Sequence, residues 1–237
     1  MTDFSIDVVM PVYGQSSYTN SILEDISNNS VVPKQIIIIN NGSPDDTVEV
    51  VTSYKKDLPI RLLNFKKNIG VNAAWNLGMK LSKSSYVSVL NNDLVLNKYF
   101  FEVVCKTFEL YPNCAMLCPK TSHRSFEEED LSHYIEIIRN HTHCEASKTN
   151  WVPWRNGWAF TVRKNVVKDI IVPKELFNYC GDDYQFFTLK KLGHDILMME
   201  QNLIFHYEGR TGKHTKLRDK MSDDTKKWKK IKEKLEL

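Results

Sequence analysis

Four consecutive isoleucines, Ile36 to Ile39, constrain most tightly what this chain can fold into. All four are apolar and β-branched, and no polar residue alternates with them. A strand with one wet face alternates. An unbroken apolar run marks a strand buried on both faces, as in parallel sheets covered by helices. Strand-length runs of similar character lie at Ile6–Met10, where Pro11 stops the run, at Ile60–Phe65 and at Tyr86–Leu90. Helical spacing separates them, with Ile22, Leu23 and Ile26 inside Ser17–Asn28 and a further helix over Gly70–Leu81. The loop Asn40–Thr47 leads into another helix, with Ser43 as its N-cap and Pro44 in the first helical position. This alternation predicts a parallel α/β sheet flanked by helices across residues 4–95.

Beyond residue 95 the pattern is looser. The spacing predicts a helix over Tyr99–Tyr111 and a short strand at Ala115–Pro119. A further strand falls at Trp158–Val162, a helix at Asp182–Leu192, and a closing pair of strands at Ile196–Met199 and Leu203–His206. Between Ser125 and His143, Leu131, Tyr134, Ile135 and Ile138 have helical spacing inside a polar stretch. The expectation is one α/β domain over residues 1–210, with a regular nucleotide-type half (4–95) and a less regular half (96–210).

Charge is unevenly spread. The net charge is +3, yet Arg210–Leu237 carries 11 Lys/Arg against 5 Asp/Glu, leaving the body at −3. Within residues 211–237, Trp228, Ile231 and Leu235 lie at helical spacing among lysines. That is a basic amphipathic helix. It can meet an anionic membrane surface, pack back on the domain or form a dimer contact. With 42% hydrophobic residues the chain has enough apolar side chains for a packed core. No run reaches the ~20 residues of a membrane-spanning helix. The N-terminus has no signal-peptide pattern, and five cysteines without C-x-x-C pairs fit reduced thiols, so a cytoplasmic setting is expected. His141-Thr142-His143-Cys144 has metal-ligand types but no second pair at zinc spacing.

The stretch that carries chemistry is Tyr86–Leu90 running into Asn91-Asn92-Asp93. It sets a carboxylate at the carboxyl end of a strand, where open α/β sheets bind ligands. A hard oxygen ligand there suits Mg²⁺ or Mn²⁺ on a diphosphate. The same three residues also make ordinary turn chemistry, and the octapeptide alone leaves both readings open.

Several stretches in register resemble family 2 glycosyltransferases of the GT-A fold. They are Val8–Tyr13, Ile36–Thr47, Asn68–Gly78, Leu90–Asp93, Gly181–Phe186 and Phe205-His206, covering about residues 5–210. The resemblance implies a GT-A-type single domain that transfers a sugar from a nucleotide diphosphosugar to an acceptor hydroxyl with inversion. Pro11, Val12 and Tyr13 would lie along the nucleotide. Asn40 and Asn41 stand where the family places acids that read uracil; an amide can both accept and donate there, so a UDP-sugar is favoured without excluding other bases. Asn68 can cap the third helix, while Gly70 and Ala74 allow it close to the sheet. Trp75 stands where family members often carry arginine, which shifts charge compensation to a metal.

By the same resemblance, Asn91-Asn92-Asp93 corresponds to the metal motif. Asp93 would ligate Mn²⁺ or Mg²⁺, and Asn91 and Asn92 would meet ribose or sugar hydroxyls or shape the turn. His206 would be a second ligand through neutral imidazole. Asp182-Asp183 matches the acid pair, with Asp183 the general base and Asp182 orienting base or acceptor; carboxylates in a helix's first turn also have a plain structural explanation. Gly157 and Trp158 resemble an acceptor-side step, an indole face suiting a sugar ring. The implied acceptor is a glycan, glycoconjugate or lipid-linked molecule, and no nucleic acid is expected. Two alternatives remain. A binding module of the same fold would not need to keep Asp93, Asp183 and His206 together. A nucleotidyltransferase would carry a Gly-rich, basic phosphate loop, which Gly14-Gln15-Ser16-Ser17 is not.

Overall fold

The isoleucine run forms a strand with both faces covered. The structure, a computed structural model, describes residues 4–120, 135–140, 149–151, 157–199, 203–207 and 218–236. Strands β1 (Ile6–Val12), β2 (Gln35–Asn40), β3 (Ile60–Asn64) and β4 (Tyr86–Leu90) pair in parallel in the order β3-β2-β1-β4. Ile36 and Ile38 enter a core with Val8, Met10, Ile22 and Phe101. Ile37 and Ile39 enter the opposite core with Val9, Ala74, Trp75 and Val87. Helices α1 (Ser16–Ser27), α2 (Thr47–Ser53) and α4 (Phe100–Leu110) cover the first face and α3 (Val71–Leu81) the second.

The sheet continues with both strand directions. Strand β8 (Ala159–Arg163) runs antiparallel between β4 and β6 (Cys114–Cys118). Beyond β6 lies β9 (Asp195–Met199), parallel to it, and then β7 (Thr149–Trp151), antiparallel. A separate antiparallel ribbon joins β5 (Leu94–Leu96) to β10 (Ile204–His206). The remaining helices are α5 at residues 135–140, α6 (Lys164–Val167), α7 (Gly181–Lys191) and α8 (Arg218–Leu235). Because β2 and β4 flank β1, the strand order reverses at β1, the point in open α/β sheets where a ligand crevice lies beyond the carboxyl ends of the strands.

The structure revises several sequence expectations. Strand β1 runs through Pro11 to Val12, because β1 and β4 are paired only as far as Val9 with Val89. Pro11 therefore sits past the paired region on that side, where its missing N–H costs no ladder bond. Helix α2 starts at Thr47 rather than beside Ser43: Asp45 Oδ1 accepts from Thr47 N and Oγ1, while Ser43 bonds back to Asn40. The two late strands do not pair with each other. β9 joins the main sheet and β10 pairs with β5, a strand of three buried residues too short for periodicity to show. Of Ser125–His143, only 135–140 lies within the described residues, and it is helical. His141-Thr142-His143-Cys144 falls outside them.

Helix α8 packs back on the domain. Trp228 and Ile231 join Val172, Leu176, Cys180, Tyr184 and Phe187 in a small core. Its outward face carries Lys226, Lys229, Lys230 and Lys234, with Leu235 exposed among them. Within the described residues no helix is long and apolar enough to cross a membrane.

Candidate active site

The crevice at the β1/β4 switch is built by side chains that hold adjacent loops together. On the β1 side, Pro11 and Val12 are buried in the strand and Tyr13 is half-buried beyond it. Gly14 N donates to Ser43 Oγ at 2.8 Å, and Ser16 N donates to Asp45 Oδ2 at 3.0 Å. Burial works against the Asp45 charge, but the Thr47 hydroxyl and the Ser16 and Thr47 N–H groups together hold its carboxyl below the usual range. The loops after β1 and β2 are thereby fastened together.

Asn40 and Asn41 are both buried at the end of β2. Asn40 Nδ2 donates to Asn64 Oδ1 at 2.7 Å, and its Oδ1 accepts from Ser43 N and Oγ. The Asn40 side chain thus builds the turn. Asn41 N donates to Val12 O, and Asn41 Oδ1 accepts from Ile69 N at 3.4 Å. Asn68 Oδ1 accepts from Gly70 N, an Asx turn ahead of α3. Ala74 is buried against the sheet with Val9, and Gly78 also lies tight on it: a Cβ there would lie 2.2 Å from Val9 Cγ1, whereas Gly70 faces Phe177.

The β4 side supplies the acidic end. Asn91 N donates to Trp158 O at 2.8 Å, and Asn92 Nδ2 donates to Gly14 O and Thr19 Oγ1. Asn92 therefore pins the β1–α1 loop beside Asp93. The β5–β10 ribbon pairs His206 with Leu94, one residue beyond Asp93, and Tyr207 N donates to Asp93 O. Asp93 Oδ1 and His206 Nε2 face each other at 3.4 Å with side chains 5% and 9% exposed. Among the described residues, buried Asp93 Oδ1 accepts no hydrogen bond. Trp158 stacks on the His206 ring, centroids 5.0 Å apart, and fixes its plane. That contact occupies one face of the indole read as a sugar platform.

A buried carboxylate oxygen without a donor, beside an imidazole nitrogen, fits a divalent ion of the Mn²⁺ or Mg²⁺ type. Among the described residues, no group of three or more His, Cys, Asp or Glu is placed to hold a metal ion, and Asp93 Oδ1 and His206 Nε2 are the two ligand atoms brought together there.

The acid pair lies in the first turn of α7. Leu189 and Phe186 dock this helix in the core shared with α3 and β4. Its N-terminus meets α3 through Gly181: a Cβ there would lie 1.9 Å from Asn72 Oδ1. Asp182 reaches the β8 side, its Oδ2 3.0 Å from where a Cβ on Gly157 would stand. Asn41 bonds Val12 and Asn92 bonds Gly14, either side of Tyr13, while Asp93 faces His206, His206 stacks on Trp158, and Gly157 beside it lies against Asp182. Asp183 follows on the same helical turn.

Sequence reasoning missed the residues that position this turn. Asn72 Nδ2 donates to the Leu176 and Tyr179 carbonyls, and Asn76 bonds Val172 through both its amide atoms. Asn178 Oδ1 accepts from Val71 N at the start of α3. From α8, the buried Asp224 carboxylate accepts from the N–H groups of Phe177, Asn178 and Tyr179. Asp-Asp followed by Trp228 at helical spacing was the signal in the sequence, hidden within a lysine run.

A mainly parallel sheet flanked by helices and continued by antiparallel strands is a GT-A type of fold. Residues 7–171 match the Glycosyl transferase family 2, and the chain belongs to that family of glycosyltransferases. It is 30% identical over 140 residues to an uncharacterized glycosyltransferase of Rickettsia bellii (strain RML369-C), covering 59% of this chain and 19% of that protein. The minor teichoic acid biosynthesis protein GgaB of Bacillus subtilis (strain 168) is 29% identical over 114 residues, 47% of this chain and 13% of its own length. Among solved structures, S. aureus TarS 1-349 in complex with UDP superposes with a TM-score of 0.65 at 18% identity, covering 85% of this chain and 60% of that one. Mannosyltransferase PcManGT from Pyrobaculum calidifontis, in complex with GDP-Man and Mn²⁺, gives 0.66 at 14% identity, covering 89% and 59%. These structures share the GT-A fold. The chain spans less than two thirds of the length of each of these proteins.

Proposed function

We propose that this chain is a metal-dependent, inverting transferase that moves a sugar from a nucleotide diphosphosugar to an acceptor hydroxyl. The observation that carries the reading is the Asp93–His206 pair past the carboxyl end of β4, with Asp93 Oδ1 buried and given no hydrogen-bond donor by the described residues. The nucleotide lies along the end of β1, against Tyr13 and the backbone beside Asn40 and Asn41. Asn68 and the Asn41 carboxamide shape that edge, and Asn91 and Asn92 close it below the diphosphate. Asp93 and His206 hold Mn²⁺ or Mg²⁺. The bound ion supplies charge compensation for the departing diphosphate.

Asp183 takes the proton from the acceptor hydroxyl as that oxygen attacks the anomeric carbon from the face opposite the leaving group. Asp182, set against Gly157, orients the acceptor or the base. Trp158 lends the exposed part of its indole to the acceptor side. A UDP-sugar donor is favoured by the likeness to TarS, which has been solved with UDP and with UDP-GlcNAc. The acceptor is a glycan, glycoconjugate or lipid-linked molecule, and the outward lysines of α8 offer an electrostatic contact to an anionic membrane surface on the cytoplasmic side.

Asp183→Asn tests the base. Transfer should fall by ~10²–10⁴-fold with nucleoside diphosphate affinity unchanged, as expected when a general base alone is removed. Undiminished turnover in that variant would remove the assignment.

A further inference from the structure

The helix that opens on the acid pair is entered through a turn with little support of its own. Cys180, the residue before it, has φ 61°, a left-handed conformation that non-glycine residues avoid. Such a conformation persists where the surroundings over-determine it. On the far side of Cys180, Gly181 is wedged against Asn72 and Trp75 of α3. On the near side, Phe177, Asn178 and Tyr179 all point their N–H groups at one carboxylate, Asp224, at 2.8–3.1 Å.

Asp224 is 1% exposed and belongs to α8, more than forty residues further along the chain. The helix has separate anchors. Trp228 packs near Tyr184 and Phe187, Lys232 Nζ lies 3.9 Å above the Phe187 ring, and Lys191 Nζ donates to Leu235 O. A carboxylate is not needed to glue α8 down. Its hydrogen bonds gather the three residues that lead into Cys180. Three consecutive N–H groups converging on a charged acceptor form a rigid, charge-assisted clamp. The clamped segment also touches the donor edge, since Asn178 caps Val71 and Asn72 N donates to Phe177 O.

We propose that Asp224 is a positioning residue for the acid pair: α8, through the Phe177–Tyr179 clamp, sets where Asp182 and Asp183 stand. The basic C-terminal helix is thereby part of the transferase site. This rests on Asp183 being the base.

Two measurements on the full chain test it. The first compares amide hydrogen exchange in the wild type and Asp224→Asn. Exchange should accelerate from Phe177 into the first turn of α7, through Tyr184, while β1–β4 keep their protection. Acceleration that stops at Tyr179, or none, overturns the proposal.

The second follows nucleoside diphosphate release from UDP-GlcNAc and GDP-mannose with Mn²⁺. In Asp224→Asn, kcat should fall ~10–100-fold, the scale of an ångström-sized misplacement, with donor KM within about twofold. A lower melting temperature with unchanged kcat overturns it. Should Asp224→Asn fail to fold, Trp228→Phe loosens the same helix without touching the carboxylate and should show the same split at smaller size; an unchanged kcat there overturns the proposal. Asp183→Asn run alongside separates the failures. If it turns over normally, the base assignment is wrong; if it is dead while Asp224→Asn is unimpaired, only the role of Asp224 is wrong.

Discussion

The two sides of the crevice are held in place differently. At the ends of β1 and β2, polar residues are fixed across the parallel ladder by the adjoining strands and their loops. Asn40 bonds Ser43 three residues on and Asn64 on the adjacent strand, and Gly14 and Ser16 bond the next strand's loop. On the acid-pair side, the fixing residues are distant in sequence. Asn72 holds carbonyls 104 and 107 residues away, and Asp224 holds N–H groups 45 to 47 residues back. One side is a product of the sheet. The other is assembled from three separate helices. Damage to the first should therefore appear as lost stability, and damage to the second as lost turnover in a protein that remains folded.

Two glycines separate these outcomes. Gly181→Ala drives a Cβ to 1.9 Å from Asn72 Oδ1, so Asn72 must release the carbonyls of Leu176 and Tyr179. Turnover should drop by about 100-fold, with UDP binding retained, because the acid pair shifts by the order of an ångström. Steady-state kinetics beside calorimetry reads both. Gly78→Ala instead drives a Cβ to 2.2 Å from Val9 Cγ1 in the sheet core. It should cost ~1–3 kcal/mol of stability by overpacking, with kcat per folded molecule unchanged; urea unfolding measures this. If both variants lost stability equally and kept kcat, the distinction between the two sides would collapse.

An effect on stability alone belongs to the sheet's opposite end. Asp7 is buried, which opposes its charge, yet the Ser82 and Ser84 hydroxyls and the Lys83 and Ser84 N–H groups together hold its carboxyl below the usual range. A carboxyl whose folded pKa is depressed contributes stability above its unfolded value, and that contribution fades as pH falls through the folded one. Asp7→Asn should cost ~1–3 kcal/mol at pH 7, and the difference from wild type should shrink below about pH 4. Denaturation at several pH values shows whether the difference is pH-independent, which would contradict the account.

The same contrast explains what could be read from the sequence. Ile36–Ile39 announced a strand buried on both faces because the pattern is carried by the residues themselves. Asn91-Asn92-Asp93 was legible as a strand end, and His206 through a family resemblance; their 3.4 Å approach depends on a three-residue ribbon with no periodicity to reveal it. The start of α2 was misplaced because Asp45, rather than Ser43, captured the first-turn N–H group. Helix α8 was legible as amphipathic, but amphipathicity does not say what covers the apolar stripe. Trp228 and Ile231 found the loop before α7, and Asp224 was hidden because its partners are backbone N–H groups, which no residue pattern encodes.

The proposed reading makes donor binding depend on a divalent ion held by Asp93 and His206. Calorimetric titration of UDP into wild type and Asp93→Ala, each with and without Mn²⁺, addresses it directly. Mn²⁺ should strengthen UDP binding to the wild type, and Asp93→Ala should lose at least about 10-fold of that gain, since even indirect supports of metal sites cost this much. Equal UDP affinity in wild type and Asp93→Ala, with the same response to Mn²⁺, would contradict it.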